Sequence, residues 1–534
     1  MTRPGTAPTR GLPLHEHLRE HARRAPERTA IVFSGRRFDY GWLDRASDAL
    51  AAALADRGVA KGDTVALFLQ NSPQFIVSSL AIQKLGAVVG PCNPMFKEWE
   101  LAYQLNDLGA RILITTDDLA PVFAGIEEPT AVEHLICSAY EDVLPDDASG
   151  FAGPLGVPPA AGAERWAELI DGSRPAPTAP PIEMAEDPAL VIYTSGTTGQ
   201  PKGAQLSFGN VEFKTACVCA TYGFAAEDVF LSAMPVFHIA GMLFGMNSPI
   251  MAGATIVLLN RFEASEALRL IRDERVTVTY LTPPMLEPMM RTELFEPSSF
   301  PALRVSAGTS FGAQIDQTLS DRWRQAAGVP LFEFAYGMSE THTADTMTSP
   351  DDIRYGTVGK PTFQTEIRIC DLDDRSADAA PGELGEIAVR GPGVFLGYRG
   401  RDEATAAVLE DGWYYSGDIG RFDEDGFLRF EGRRKEMIKS SGYSVFPEEV
   451  EGMMLRHPGI AQVAVVGYAD PVRGESVRAF VVPAPGAVLE EDAVIAWSRE
   501  RMAAYKYPRS VRVVSEIPST TTGKMLRLKL KEMA

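Results

Sequence analysis

Hydrophobic positions recur with a helical period along the first two thirds of the chain, and each such stretch is followed by a short β-branched run. Residues 36–60, RRFDYGWLDRASDALAAALADRGVA, predict a helix bounded by Gly58 and followed by a strand in KGDTVALFL. The rhythm repeats. FIVSSLAIQKLGA precedes VVGPCNP, WELAYQLNDLGA precedes RILITT, and EASEALRLIRDERV precedes TVTYLTPP. Helices alternating with short apolar strands predict βαβ units around a largely parallel sheet.

From Gly359 onward the pattern changes to strict alternation in TEIRICD, GEIAVRG and GFLRFEGR, which predicts antiparallel strands. Beyond them come a predicted helix at Pro447–Leu455, strands at Ala461–Tyr468 and Ser476–Pro483, a helix at Glu491–Arg501 and a strand at Ser510–Val514. That is a compact α+β unit. Residues 141–182 are rich in Pro, Gly and Ala and read as a surface excursion with one short helix, Ala163–Ile170. Val229–Asn260 carries no formal charge. Its Pro235, His238, Gly241, Gly245, Asn247, Pro249 and Gly253 suit a buried pocket wall better than a lipid-facing helix.

Composition narrows the function classes. The 534 residues include 51 Lys and Arg against 71 Asp and Glu, a net charge of −20. Such acidity opposes broad nucleic-acid binding, which draws on a cationic surface, but leaves room for a local cationic pocket around a small anion. The five cysteines (Cys92, Cys137, Cys217, Cys219, Cys370) form no Cys-x-x-Cys pair, which argues against zinc or a disulfide framework and for a cytoplasmic setting. The first residues, MTRPGTAPTRGLPLHEHLREHARR, lack the apolar run of a secretory leader.

The densest chemical signal is LVIYTSGTTGQPKGAQLS, Leu190–Ser207. An apolar run feeds a loop in which Gly196 and Gly199 allow close backbone approach, Ser195, Thr197 and Thr198 supply hydroxyls, and Lys202 supplies charge. This is an anion nest. It is no Walker A loop, because Gly199 is followed by Gln200 and Pro201 before Lys202. A P-loop NTPase is thereby excluded.

YTSGTTGQPKG resembles the signature loop of the adenylate-forming enzymes, which include acyl-CoA synthetases, luciferases and peptide-synthetase adenylation domains. Three further segments match that family in order: YGMSET (Tyr336–Thr341), YSGDIGRFDEDGFLRFEGRRKEMIKSSGYSVFPEEVE (Tyr415–Glu451) and PSTTTGKMLR (Pro518–Arg527). The resemblance implies ATP, Mg²⁺ and CoA as cofactors and co-substrates, and a reaction in which a carboxylic acid is joined to AMP and then passed to a thiol. It also implies a fold: a large N-terminal α/β region of parallel and mixed sheets packed with helices, with a β-barrel-like subdomain, and a small mobile α+β C-terminal domain. The corresponding division is 1–432 for the adenylation core, 433–436 for the hinge and 437–534 for the C-terminal domain.

By the same resemblance Thr194, Ser195, Gly196, Thr197, Thr198, Gly199 and Lys202 hold the β,γ-phosphates, and Thr194 and Glu340 hold the metal. Gly308, Thr309 and Ser310 line the adenine and acyl pockets, in a copy with Thr309-Ser310 where the family often has Ala-Pro. Ala335, Tyr336, Gly337, Met338 and Ser339 surround the nucleotide; Tyr336 stacks near adenine and Thr341 meets the α-phosphate. Asp418 and Arg433 contact the ribose, the carboxylate being an acceptor suited to a cis-diol. Lys524 bridges carboxylate and α-phosphate; by itself it would read as a surface lysine. Lys435-Glu436 is the hinge, with Glu436 where Asp is commoner. After rotation Lys439, Ser441 and Gly442 face the active site, with Arg473 and Glu475 near the CoA end. Val236, His238, Gly241, Phe311 and Thr341, with Thr343, line the acyl pocket, His238 acting as a gate.

VFLSAMPVFHIAG lacks the Asp of amino-acid-activating members, so an apolar acid is expected. A medium- or long-chain fatty acid comes first and a cinnamate- or benzoate-type aryl acid second. No carrier domain follows Ala534, so CoA is the expected acceptor; an acyl carrier protein and a second copy of the chain stand as further partners, and no nucleic acid does. A degenerate, non-enzymatic scaffold would predict losses among Lys202, Glu340, Asp418, Arg433 and Lys524, and all are present.

Overall fold

The computed structural model describes residues 5–147, 151–171, 174–178, 180–194, 200–310, 314–372, 374–433, 438–445, 447–518 and 530, with the side chains of 431–433, 444 and 448 outside that description. Two large sheets carry the N-terminal region. One orders its strands Leu331–Glu333, Val305–Gly308, Val278–Leu281, Val229–Ser232, Thr255–Leu258, Thr29–Phe33 and Arg36–Asp39. All neighbours are parallel except the last pair. The other runs Gly397–Tyr398, Lys202–Ser207, Pro188–Thr194, Val88–Pro91, Thr64–Phe68, Ile112–Thr116, His134–Ser138 and Glu164–Arg165. Its interior strands Thr64–Phe68 and Ile112–Thr116 are buried at every position, as parallel strands covered on both faces must be.

Local chemistry sets the helices. Ser72 accepts from the Phe75 N–H and Pro73 opens the helix Pro73–Lys84, whose residues are all buried. Fully buried Lys84 reaches Asp44 and Asp48, at 2.6 Å each, and ties this helix to Tyr40–Asp56. One expectation changes here. Arg36–Asp39 is an antiparallel edge strand, and the helix starts only at Tyr40. Asp39 explains the switch, because its side chain caps the helix by accepting from the Trp42 N–H.

The alternating segments beyond Gly359 form an antiparallel sheet of Glu366–Cys370, Gly385–Arg390, Leu409–Glu410, Trp413–Phe422 and Leu428–Arg433, where the β-barrel-like subdomain is expected. A separate sheet holds Ile438–Ser440, Tyr443–Val445, Ile460–Asp470, Gly474–Pro483 and Ser510–Val513, with helices Pro447–Met454 and Glu491–Arg501. The charge-free Val229–Asn260 stretch folds as a strand, a short helix Ile239–Met242, a π-turn Leu243–Asn247 and a helix Ser248–Ala252. Among the described residues no helix is long and apolar enough to cross a membrane.

Candidate active site

The open end of the Pro188–Thr194 and Lys202–Ser207 hairpin meets the Ser339–Thr341 turn that follows the other large sheet, and this junction is the candidate cleft. Thr194 and Lys202 are register partners at the mouth of an antiparallel hairpin; Ser195, Gly196, Thr197, Thr198 and Gly199, between them, lie outside the described residues. Buried Glu340 is the focus. Its Oε1 accepts from the Thr194 hydroxyl at 3.2 Å and from the Tyr398 hydroxyl at 2.7 Å, while the Lys202 Nζ stands 5.1 Å from the Tyr398 ring centroid. One carboxylate with hydroxyl neighbours suits Mg²⁺, which takes few protein oxygens and completes its shell with phosphate and water. Among the described residues no cluster of three or more His, Cys, Asp or Glu could hold a metal, so a closed protein cage of the zinc kind is not built there.

Tyr336 and Asp418, 82 positions apart, meet beside this focus: the phenol donates to Asp418 Oδ2 at 3.0 Å. Burial, then the neighbouring carboxylate, pushes the phenol pKa well up, so it stays a donor. The Tyr336 ring lies 6.0 Å from Phe430, and Asp418 is opposite Arg433 in the strand register.

Between Tyr336 and Asp345 the chain makes a tight loop with His342, Thr343 and Ala344 all left-handed, at φ 55°, 56° and 53°. A Cβ on Gly337 would come within 2.6 Å of the Thr343 and Ala344 backbone, so this loop closes only over glycine. It is held from beneath. Fully buried Lys214 contacts Asp345 Oδ1 at 2.6 Å and the Ala344 carbonyl at 3.1 Å, and the Thr341 hydroxyl donates to Asp345 Oδ2. The Met338 carbonyl accepts from Thr343 N–H, and Ser339–Thr341 forms a single 3₁₀ turn carrying Glu340. His342 is buried with neither ring nitrogen hydrogen-bonded, and burial pushes its pKa down to about 3, so the ring is neutral.

The segment expected to form the acyl-pocket wall is tightly packed. Val236 is buried and donates its N–H to Asn71, and Gly241 packs so tightly that a Cβ would sit 2.1 Å from the Pro235 carbonyl. His238 is exposed between buried Val236 and Ile239, and desolvation lowers its pKa. Behind the wall Phe244 meets Tyr280 at 4.9 Å and Phe334 at 5.0 Å. Gly308 ends its strand opposite Glu333, and Ser310 N–H donates to both Glu333 oxygens, at 3.1 and 2.8 Å. Desolvation pushes Glu333 up to about 7, against the pull of Ser310, Thr309 and Lys439.

Lys439 thus arrives at the cleft from the C-terminal sheet; its Nζ is 5.4 Å from the Phe430 ring, and its N–H donates to Glu475. Ser441 (φ 49°) and Gly442 (φ 93°) make the adjacent turn, and Ser441 N–H donates to the Arg473 carbonyl. Phe311, Lys435, Glu436 and Lys524 lie outside the described residues, as does the Arg433 side chain. Sequence reasoning missed Tyr398, Glu333 and the Lys214–Asp345 pair. Gly397-Tyr398-Arg399-Gly400 offers only a turn signal, and a helical Lys or a strand-end Glu gives none.

The profile of the AMP-binding enzyme family matches residues 18–399, and that of the AMP-binding enzyme C-terminal domain matches residues 449–524. A long-chain-fatty-acid–CoA ligase of Salmonella typhimurium is 34% identical over 547 residues, covering 99% of this chain and 95% of that protein. A feruloyl-CoA synthase of Amycolatopsis sp is 33% identical over 508 residues, covering 95% and 96%. Among solved structures, an o-succinylbenzoate CoA synthetase of Bacillus subtilis with a product analogue bound superposes with a TM-score of 0.80, at 29% identity and 98% coverage of each chain.

Proposed function

This chain belongs to the AMP-binding enzyme family, and on that premise we propose that it is an AMP-forming acyl-CoA ligase acting on a medium- or long-chain fatty acid. The observation that carries the reading is the convergence of Thr194 and Tyr398 on Glu340, with the Lys202 Nζ over the Tyr398 ring, together with the Tyr336–Asp418 pair. The acid's carboxylate attacks the α-phosphorus of ATP and the bond to pyrophosphate breaks. The CoA thiol sulfur then attacks the acyl carbon, loses its proton and expels AMP. Both steps bring anions together, so the chain must offset charge and align the attack. Lys202 and the 194–199 loop take the outer phosphates, Asp418 with Arg433 takes the ribose, and Lys524 lowers the repulsion at the α-phosphate. Glu340 and Thr194 would hold Mg²⁺, which neutralises phosphate charge when bound.

The Lys439 Nζ, 5.4 Å from the Phe430 ring, supports a thiol-transfer orientation of residues 437–534 against 1–432, reached about Lys435-Glu436. A cytoplasmic location accords with the scattered thiols, of which Cys92, Cys137, Cys217 and Cys370 are buried. A cinnamate- or benzoate-type aryl acid is the second reading, favoured by the likeness to a feruloyl-CoA synthase.

ATP–pyrophosphate exchange over a panel of C2–C18 fatty acids and cinnamate- and benzoate-type acids tests this directly. Exchange is expected with apolar acids, fatty above aryl, followed by CoA thioester. No exchange with any acid sinks the enzyme, and exchange without CoA thioester transfers the acceptor role to a carrier protein. Asp418→Ala is expected to raise the KM for ATP about 10-fold or more, as losing a hydrogen bond to a charged group costs about 1.5–3 kcal/mol. The KM for the acid should not move; an equal rise in both would remove Asp418 from the ribose.

A further inference from the structure

The C-terminal unit also meets the N-terminal region through Lys506 and Glu449, the latter inside the Tyr415–Glu451 segment. Helix Glu98–Leu108 presents Glu100, whose Oε2 accepts from Lys97 N–H as a cap. Against it lies Lys506, 2.6 Å from Glu449 Oε1 of its own unit and 3.3 Å from Glu100 Oε1. All three residues are only 4% exposed. Glu100 Oε1 also takes the Ala503 N–H at 3.4 Å, while Glu449 Oε2 has no hydrogen-bond partner among the described residues. Around the triad Asn93 donates to the Tyr505 hydroxyl at 3.2 Å, Tyr505 stacks on Tyr443 at 3.9 Å, and Trp99 faces Trp497 at 5.6 Å.

The charges are unevenly owned. Lys506 and Glu449 belong to the C-terminal unit and can stay paired wherever that unit goes. Glu100 belongs to the N-terminal region. Its bond to Lys506 exists only while the two regions are docked in this orientation, and once they part it is a solvated helix-cap carboxylate. An interaction present in one of two states shifts the balance between them by its own free energy. A buried pair missing one member is costly, so the docked arrangement is selective as well as attractive.

We propose that Glu100 is a positioning residue for thiol transfer: by capturing the Lys506–Glu449 pair it holds the C-terminal unit where Lys439 faces Phe430. This rests on the ligase reading above. Adenylation, which the ligase reading assigns to the other orientation about Lys435-Glu436, does not use the catch. Burial raises the Glu100 pKa while Lys506 opposes the shift, as expected of a carboxylate closed into the interface.

The test separates the half-reactions in the full chain, using ATP–pyrophosphate exchange for the first and CoA acylation from supplied acyl-adenylate for the second. E100A should slow transfer about tenfold, the scale of a typical coupling between two sites, and leave exchange within about twofold of wild type. E100Q, whose single carbonyl oxygen can keep the Lys97 cap while its NH2 faces Lys506 and cannot accept from it, should also lose transfer, again with exchange intact. Unchanged transfer in E100A overturns the catch. So does E100A losing both half-reactions while E100Q transfers like wild type, since the residue would then only cap its helix. A wild-type chain inactive in both half-reactions would instead sink the ligase reading, and the catch with it.

Discussion

Lys214→Met is expected to be among the most destabilising single changes in this chain, costing about 3–5 kcal/mol, because it leaves the Asp345 carboxylate buried without its cation. Asp345 would retain the Thr341 hydroxyl, which cannot offset a charge. Burial already raises the Asp345 pKa while Lys214 and Thr341 pull it back. Without Lys214 the upward shift grows. A carboxylate with a folded pKa above its unfolded value favours the folded state below the unfolded pKa and loses that advantage as pH rises through the folded one. The variant should therefore gain more stability on acidification than wild type does. Denaturant unfolding at several pH values reads this. The double variant Lys214→Met/Asp345→Leu should recover most of the stability, since apolar replacement of both partners of a buried pair is often neutral. Its ATP–pyrophosphate exchange should stay low, because Thr341 and Glu340 would have lost the support beneath their loop. A Lys214→Met chain as stable as wild type at pH 7 would show that the pair contributes nothing.

The second large effect belongs to Lys524. Lys524→Ala is expected to lower exchange about 10²–10³-fold, the range seen when one preorganised group at a developing charge is removed. Transfer from supplied acyl-adenylate should stay within about twofold, since the acyl–AMP bond already exists there and no carboxylate approaches phosphate. Equal losses in both half-reactions would refute the division of labour between Lys524 and the Lys439 face.

The helical and alternating periods placed most elements to within a residue or two, as at Glu491–Arg501, because burial of one face dictates the spacing. They failed at Arg36–Asp39. There Phe38 is the inward residue of an edge strand, and its pairing with Thr29–Phe33 overrode a pattern that also fits a helical turn. The motif residues were legible because phosphate chemistry demands glycines, hydroxyls and cations close together in sequence. Tyr398, Glu333 and Lys214 were not, because each reaches the cleft from a separate element. Tyr398 crosses over on the short strand that pairs with Lys202–Ser207, Lys214 rises from the helix beneath, and Glu333 stands at a strand end opposite Gly308.

The sequence by itself determined the family and with it the two-step ligase chemistry, since these depend on local motifs whose residues are neighbours along the backbone. Only the tertiary structure decided what supports those groups: a buried ammonium under the Thr341 loop, a tyrosine on Glu340, and a glutamate at position 100 against a lysine at 506. Charges are costly to bury and are kept only where a partner arrives from elsewhere in the fold. No reading along one chain shows which distant residue that partner is.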